Sequence, residues 1–158
     1  MLFRSNLLIE SIWASVREYD SPHFTGVTNN GGLAQDVQLT GARKQGFSMV
    51  MIHLLTEYLR DNRNRKMELL LQQHVDHIMN DFFNPRLGIT NEYLNHDYSR
   101  IAGYEDYLFT GHSLETMWMV MFAARHSGDT ETFTNAKNII KRYMEISWDY
   151  IFEGFGDG

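Results

Sequence analysis

Apolar residues recur at intervals of three and four positions in five segments of the chain, which is the spacing of one face of an α-helix. In the second segment, for example, Phe47, Val50 and Leu54 follow this spacing. We predict helices over residues 2–19, 43–60, 65–82, 112–126 and 130–152. The presence of only 2 prolines agrees with a mainly helical chain, because proline interrupts helices.

The segments between the predicted helices differ greatly in length. The loop after the first helix is rich in turn formers, including the run Asn-Asn-Gly-Gly at residues 29–32. Residues 83–110 form a longer irregular stretch, and within it residues 89–94 are predicted to form a short strand. Because loops of this length in compact domains usually carry function, we expect residues 83–110 to contribute to a site.

The alternation of long and short connections is typical of repeated helical hairpins. Such hairpins stack into solenoids or close into α/α toroids, so we predict an all-α fold. The sequence ends in a glycine-rich turn, residues 153–158, and this ending predicts that the helical array continues beyond it.

Composition and charge exclude several classes of function. The 158 residues contain 14 Lys and Arg against 20 Asp and Glu, a net charge of −6 that repels phosphate backbones, so no nucleic-acid partner is expected. The basic cluster at residues 60–66 is short and interrupted, and we interpret it as a solvated helix junction. The absence of cysteine excludes disulfides and thiolate metal sites. No apolar run approaches the ~20 residues of a membrane span and no signal peptide is evident, which predicts a cytoplasmic protein with no membrane partner.

The residues of greatest chemical interest lie at the start of the fourth predicted helix. Gly111 opens the helix, His112 lies in its first turn, and Glu115 follows on the same face. The Glu115 carboxylate can therefore contact the imidazole and stabilise its charged form, whereas the helix N-terminus opposes that charge. Because histidine titrates near ~6.5, His112 is suited to take and return a proton at neutral pH. Taken alone, the same pattern also fits a helix-capping arrangement.

Metal binding is a weaker interpretation of the histidines. His-x-x-Glu spacing can ligate zinc, but the sequence has no HExxH motif. His74 and His77 lack a carboxylate at a recognised ligand spacing. We interpret both as ordinary residues of a helix surface or groove.

The string Gly-His-Ser-Leu-Glu-Thr-Met-Trp, residues 111–118, resembles the Gly-His-x-x-Glu-x-x-Trp signature of the N-acylglucosamine 2-epimerase family, which includes cellobiose 2-epimerases and aldose–ketose isomerases. The similarity extends to residues 47–57, 91–93, 127–129 and 147–149. The family fold is an (α/α)6 toroid of twelve helices, so the resemblance implies that residues 1–158 form the middle portion of one such domain. Thr110 departs from the proline that many members carry before the signature.

The resemblance also implies roles for individual residues. His112 would be one of two acid/base residues flanking C2 of an open-chain sugar, and Glu115 would hold and polarise it. Glu92 would line the pocket and hydrogen bond to hydroxyl groups, and His53 aligns with a substrate-contacting histidine of the cellobiose-specific branch. Trp118 is expected in the core rather than beneath a sugar. The reaction requires neither a metal nor a nicotinamide, so no cofactor is expected.

Several alternatives are open at this point. The family's second catalytic histidine and its pocket arginine have no counterpart here, which predicts that the chain alone is inactive. The uncovered apolar faces of the chain predict self-association into a homo-oligomer.

One alternative function is that of a non-enzymatic helical-repeat module that binds a partner in its groove. Another is a glycosidase that uses Glu92 and Glu115 as paired carboxylates. The identity of the sugar, and the choice between epimerase and isomerase, are not decided by these residues.

Overall fold

The structure, a computed structural model, describes residues 2–23, 39–149 and 154–155. Its helices are α1 (Leu2–Tyr19), α2 (Gln45–Asp61), α3 (Arg65–Asp76), α4 (Thr110–Ser127) and α5 (Thr130–Ser147), with a π-helical turn at His77–Asp81. Short strands accompany them: β1 (Arg43–Lys44), β2 (Phe83–Asn84), β3 (Ile89–Thr90), β4 (Tyr93–Leu94), β5 (Trp148–Asp149) and β6 (Gly154–Phe155). The strands form antiparallel pairs, β1 with β4, β2 with β3, and β5 with β6. The prediction of an all-α fold is confirmed.

Two of the predicted helices are shorter in the structure, because residues at one end of each form a short strand. The second helix begins at Gln45 rather than at residue 43, because β1 pairs with β4. The fifth ends at Ser147, because β5 pairs with β6; residues 150–152, also predicted as helical, lie outside the described residues. The fourth begins at Thr110, two residues earlier than predicted, which makes His112 its third residue.

The third predicted helix changes type before it ends. It is α-helical to Asp76 and continues as the π-helical turn, in which the Phe82 N–H donates to the His77 carbonyl at 2.9 Å. A π-turn holds one more residue than an α-turn and so rotates the residues that follow it. The side chain of Phe82 is fully buried in this position.

Two consecutive helical hairpins form the body of the described structure. Residues 62–64 connect α2 to α3, and the side chain of Asn64 caps the start of α3. Gly128 and Asp129 connect α4 to α5, and Gly128 adopts a φ of 78°, where a residue with a side chain would be strained. Connections this short make the two helices of each hairpin antiparallel neighbours.

The first helices of the two hairpins, α2 and α4, run in the same direction. Gln45 at the start of α2 contacts Ser113 and Thr116 near the start of α4. Further along, the ring of His53 lies 6.3 Å from that of Trp118. Because the contacts follow the same order on both helices, the N-terminal ends of α2 and α4 lie side by side.

The core lies between the hairpins and fixes α2 against α4. Its fully buried side chains come from all parts of the described structure after β1 and include Ile52, Leu55, Ile78, Phe82, Leu94, Met117, Val120, Ala136 and Tyr143. Burial of apolar surface is the main stabilising contribution to such packing. It also holds in place the polar side chains at the shared N-terminal end of α2 and α4.

One face of the α2–α4 pair is not covered by the described part of the chain. Val50 and Leu54 are 48% and 40% exposed, and Trp118 is 53% exposed. The prediction that Trp118 lies in the core is wrong: its ring stacks on Phe122 at 5.9 Å on this open face. Met117 is the residue that enters the core, and successive helical side chains point about 100° apart. Within the described residues, no helix is both long and apolar enough to cross a bilayer.

Replacing Asp129 with alanine should lower the free energy of unfolding by about 1 kcal/mol, the usual cost of removing an N-cap. The Asp129 carboxylate accepts the Thr132 N–H at 2.9 Å, and this hydrogen bond lowers the pKa of Asp129. Asp129→Asn keeps an acceptor oxygen and is the matched control, with little change expected. Urea unfolding measures the difference, and an alanine variant as stable as the wild type would contradict the capping role.

Candidate active site

His112 lies at the N-terminal end of α4, against the start of α2. The ring of Phe109 meets the imidazole edge-on, with 4.8 Å between the centroids. Gly46 lies against the same ring, since a Cβ placed there would be 3.9 Å from its Cε1 and Nδ1 atoms. The imidazole is therefore packed between an aromatic side chain and the backbone of α2, with 33% of the His112 side chain still exposed.

The carboxylate that contacts His112 belongs to Glu92. Its Oε1 lies 3.1 Å from Nδ1 of His112, and its side chain is only 2% exposed. A buried carboxylate is costly unless it is paired or hydrogen-bonded, so the imidazole offsets the cost of burying Glu92. The second oxygen, Oε2, is buried without a hydrogen-bond partner among the described residues.

Strand pairing places Glu92 beneath the imidazole. The single strand predicted over residues 89–94 is in fact two, β3 and β4, which pair with β2 and β1 respectively. Glu92 lies between them, where the chain changes partner. Its N–H donates to the Tyr107 carbonyl at 3.3 Å, and its carbonyl accepts the Gln45 N–H at 3.0 Å. The backbone of Glu92 is thus tied directly to the first residue of α2.

The neighbouring residue, Asn91, fixes the same loop from within. Asn91 is 1% exposed, and its side-chain amide donates to the Glu105 carbonyl at 2.6 Å. Asn84 donates to that carbonyl at 3.1 Å and to the Asn91 Oδ1 at 3.2 Å. These hydrogen bonds close the long loop on itself, and this loop supplies Glu92 to the candidate site.

The hydrogen bond to Glu92 raises the pKa of His112 above the ordinary value for histidine. Partial burial and the Lys44 ammonium act in the opposite direction, and Glu115 adds a small upward contribution. The net shift of the His112 pKa is therefore upward, and the groups that raise it are carboxylates. Because His112 is more basic in the folded chain, its pairing stabilises the fold below the ordinary pKa, and this contribution is lost as the pH rises through the folded pKa.

Glu115 does not make the contact with His112 that their spacing predicts. Among the described residues, the ion pair of His112 is with Glu92, and Glu115 is exposed. The imidazole turns toward the loop, whereas Glu115 lies on the open face of α4, three residues before Trp118. Glu92 therefore makes the orienting contact that was predicted for Glu115, and the Glu115 carboxylate is exposed.

His53 lies beside Trp118 rather than beside His112. It is half-buried, and its Nδ1 is a buried atom without a hydrogen-bond partner among the described residues. The α2 residue against His112 is Gly46, and His53 lies seven residues further along, about 10 Å at the helical rise per residue. His53 is thus separated from the His112–Glu92 pair along the axis of α2.

The histidines of α3 and the π-helical turn differ from their predicted environment. His74 is buried rather than on a surface or groove; its Nδ1 lies 3.1 Å from the Ser48 hydroxyl, and burial lowers its pKa to about 4. His77 does have a carboxylate partner, since its Nδ1 lies 2.6 Å from Oδ2 of Asp81, and its ring stacks on Tyr98. Within the described residues, no group of three or more histidine and carboxylate side chains is arranged to hold a metal.

A groove of about 740 Å³ lies at the other end of the hairpins. Its lining residues include Leu59, Arg63, Leu71, Ala124 and His126. His112 and Glu92 are not among them, so this groove is separate from the candidate site.

Sequence reasoning missed the residues that flank the imidazole, Lys44 and Phe109. The Lys44 ammonium lies 5.7 Å above the Tyr93 ring and lowers the pKa of His112. Lys44 is far from His112 in sequence, so no local pattern could have paired the two. Phe109 stands three residues before His112, but an aromatic residue at the end of a loop has no specific meaning by itself.

No protein-family model and no curated protein matches the chain. Among solved structures, it is similar to the cellobiose 2-epimerase from Bacillus thermoamylovorans, with 18% sequence identity and a TM-score of 0.61. The match covers 75% of this chain and 34% of that one, so the chain spans about a third of the length of the epimerase. At this identity the likeness shows the fold alone. It agrees with an all-α fold built of helical hairpins.

Replacing Glu92 with glutamine should lower the pKa of His112 toward its ordinary value, because the amide keeps an acceptor oxygen but loses the charge that favours imidazolium. The pKa is measured by following the ring C–H resonances in an NMR titration. Glu115→Gln is the matched control; it removes an exposed carboxylate near the same ring and should lower the pKa by less. A larger shift for Glu115→Gln than for Glu92→Gln would contradict the pairing.

Proposed function

We propose that the chain carries part of the active site of a sugar 2-epimerase or a related aldose–ketose isomerase, with His112 as an acid/base residue. The observation that supports this most is the hydrogen bond between partly exposed His112 and buried Glu92. A carboxylate behind an imidazole fixes its orientation and favours the protonated form that arises during proton transfer. The likeness of the fold to a cellobiose 2-epimerase supports the same class of reaction.

The proposed reaction acts on an open-chain aldose. Its C2 proton is acidic because the C1 carbonyl takes up the electron pair of the broken C–H bond, which gives an enolate, or an enediolate where C2 carries a hydroxyl group. Since Nδ1 of His112 donates to Glu92, Nε2 is the nitrogen that accepts the proton. Return of a proton to the opposite face of C2 gives the epimer. Where C2 carries a hydroxyl group, return of the proton to C1, with transfer of the C2 hydroxyl proton to the C1 oxygen, gives the ketose. Both steps are proton transfers, so neither requires the oxidation or reduction of a cofactor.

The environment of each residue suggests a division of roles. Glu92 is proposed to orient and polarise His112 rather than to contact the sugar, because its side chain is 2% exposed. Glu115, exposed on the same helix, is proposed to face the substrate and to hydrogen bond to its hydroxyl groups. His53 is proposed as a more distant substrate contact, on the open face that also carries Trp118.

The complete reaction is proposed for a protein that supplies more than these residues. Because the chain covers 34% of the epimerase structure, a second acid/base residue is proposed to lie outside it. Residues 1–158 are accordingly proposed as the middle portion of a toroid domain. The open face of α2 and α4 would then line the hollow of the toroid, or support self-association when it is left uncovered. The substrate is proposed to be an N-acylglucosamine, mannose or a cellobiose-type disaccharide.

Two alternative functions are less well supported by the geometry. A glycosidase needs two carboxylates that flank the scissile bond, but Glu92 is buried and hydrogen-bonded to His112. A non-enzymatic binding module would give no reason to bury a carboxylate beneath a partly exposed histidine, an arrangement that is costly to fold. The acid/base role accounts for both features.

His112→Ala should lower turnover by about 10²–10⁴-fold, the usual contribution of a general acid/base group. The assay uses the protein as its gene encodes it, with N-acylglucosamine, mannose and cellobiose as candidate substrates. Exchange of the C2 proton with deuterated water, followed by NMR, reports the proton transfer directly.

The matched control for this test is His126→Ala, which removes an exposed histidine at the other end of the same helix. It should leave turnover unchanged, and circular dichroism should show wild-type helicity for both variants. Turnover of His112→Ala within a few-fold of wild type would contradict the proposal, as would the absence of C2 exchange with every aldose tested.

A further inference from the structure

The side chain of Lys44 lies beside the imidazole of His112. Both approach the same glycine of α2, since a Cβ placed on Gly46 would be 3.6 Å from Cε of Lys44 and 3.9 Å from Cε1 and Nδ1 of His112. Lys44 is half-buried, and its ammonium nitrogen lies 5.7 Å from the centroid of the Tyr93 ring. A cation therefore lies next to the residue proposed to transfer the proton.

The backbone of Lys44 is fixed by two neighbouring elements. In the antiparallel pair of β1 with β4, Lys44 is the partner of Tyr93, and β4 directly follows Glu92. The Lys44 N–H donates to the Tyr19 hydroxyl at 2.8 Å, and that hydroxyl donates to the Lys44 carbonyl at 3.1 Å. The end of α1 and the loop that supplies Glu92 thus both hold the segment from which this side chain extends.

The ammonium of Lys44 is not neutralised by a carboxylate of the described structure. No ion pair of Lys44 is present among the described residues, and the buried carboxylate of the site, Glu92, pairs with His112 instead. The charged groups that act on the imidazole are Lys44 from β1, Glu92 from the long loop and Glu115 from α4. Lys44 lowers the pKa of His112, and the two carboxylates raise it.

Removal of the C2 proton in the proposed reaction creates two opposite charges at once. Nε2 of His112 gains the proton, and the electron pair of the C–H bond moves to the C1 oxygen, which becomes negatively charged. The Glu92 carboxylate stabilises the imidazolium but repels a negative charge on the sugar. The C1 oxygen is attached to the carbon next to C2, so a cation that stabilises it has to lie close to the base.

We propose that Lys44 is a second catalytic residue, whose ammonium binds the C1 oxygen of the open-chain sugar and stabilises its negative charge as C2 loses its proton. This inference rests on the proposed function of His112. Lys44 donates a hydrogen bond and keeps its own proton, while His112 takes the proton from C2. Because the charge on the C1 oxygen is greatest in the transition state, the interaction is stronger there than with the bound aldose.

The first test compares Lys44→Met, which keeps a long side chain without the charge, with Lys44→Arg, which keeps the charge. Exchange of the C2 proton with deuterated water is followed with N-acylglucosamine, mannose and cellobiose, in the protein as its gene encodes it. At a pH above the His112 pKa of every variant, kcat of Lys44→Met should fall about 10²–10³-fold, the usual cost of losing one group that stabilises an oxyanion. KM should change little, and Lys44→Arg should recover part of the lost rate.

The second test requires no substrate and measures the pKa of His112 by NMR titration. Because the ammonium lowers this pKa, Lys44→Met should raise it, whereas Lys44→Arg should leave it near the wild-type value. Lys66→Met is the matched control for both tests, since it removes an exposed lysine near the start of α3, at the far end of the hairpin. It should change neither the His112 pKa nor the exchange rate.

The two tests separate failure of this inference from failure of the proposed function. An unchanged His112 pKa in Lys44→Met, or a raised pKa with wild-type exchange at high pH, would overturn the role of Lys44. So would an arginine variant as slow as the methionine variant. Each of these results leaves the proposed function standing if His112→Ala is inactive. Full turnover by His112→Ala defeats the proposed function itself, whatever the Lys44 variants show.

Discussion

The hydrogen bond between the His112 imidazole and the Glu92 carboxylate is the interaction on which the candidate site depends. It joins a side chain that is one-third exposed to one that is almost completely buried. A carboxylate at that depth needs a partner, and an imidazole beside a carboxylate becomes a stronger base. The same contact therefore helps to offset a folding cost and prepares a proton acceptor, so stability and chemistry depend on one distance of 3.1 Å.

Several other features of the fold maintain the distance between Nδ1 of His112 and Oε1 of Glu92. The parallel packing of α2 and α4 brings Gly46 to the imidazole, and a Cβ placed there would be in van der Waals contact with the ring. The long loop changes strand partner at Glu92 and is closed on itself by Asn91. Next to the loop, the Tyr143 hydroxyl of α5 hydrogen bonds to Thr90, two residues before Glu92. Helices supply the rigid frame, and an irregular segment supplies the charged group.

Helical periodicity was sufficient to predict most of the architecture. The bounds of the first helix agree with α1, and the hairpin rhythm agrees with α2–α3 and α4–α5. Local patterns could not predict where a helix gives way to a strand pair, as at Arg43 and Trp148, because that depends on a distant partner. Nor could they predict the π-helical turn after Asp76, since one residue added to a turn leaves the apolar spacing almost unchanged.

For the site, the sequence pointed to His112 and to both glutamates but paired His112 with Glu115, which is three residues away. The actual partner is Glu92, which strand pairing delivers from 20 positions earlier in the chain. Spacing along a helix shows that His112 and Glu115 are close enough to interact. The orientation of the imidazole determines that its hydrogen bond is to Glu92 instead. Trp118 was misplaced for a related reason: an apolar residue on a helix is normally expected to be covered, and this one lies on an open face.

The most direct measurement of the central claim is a crystal structure of the protein, as its gene encodes it, with the alditol of an accepted aldose bound as an open-chain analogue. The distance from Nε2 of His112 to C2 of the ligand should be about 3–3.5 Å, the range for a reactive arrangement, with Nδ1 still hydrogen-bonded to Glu92. An imidazole turned away from the ligand, or a Glu92 carboxylate bound to the sugar in place of His112, would contradict the account.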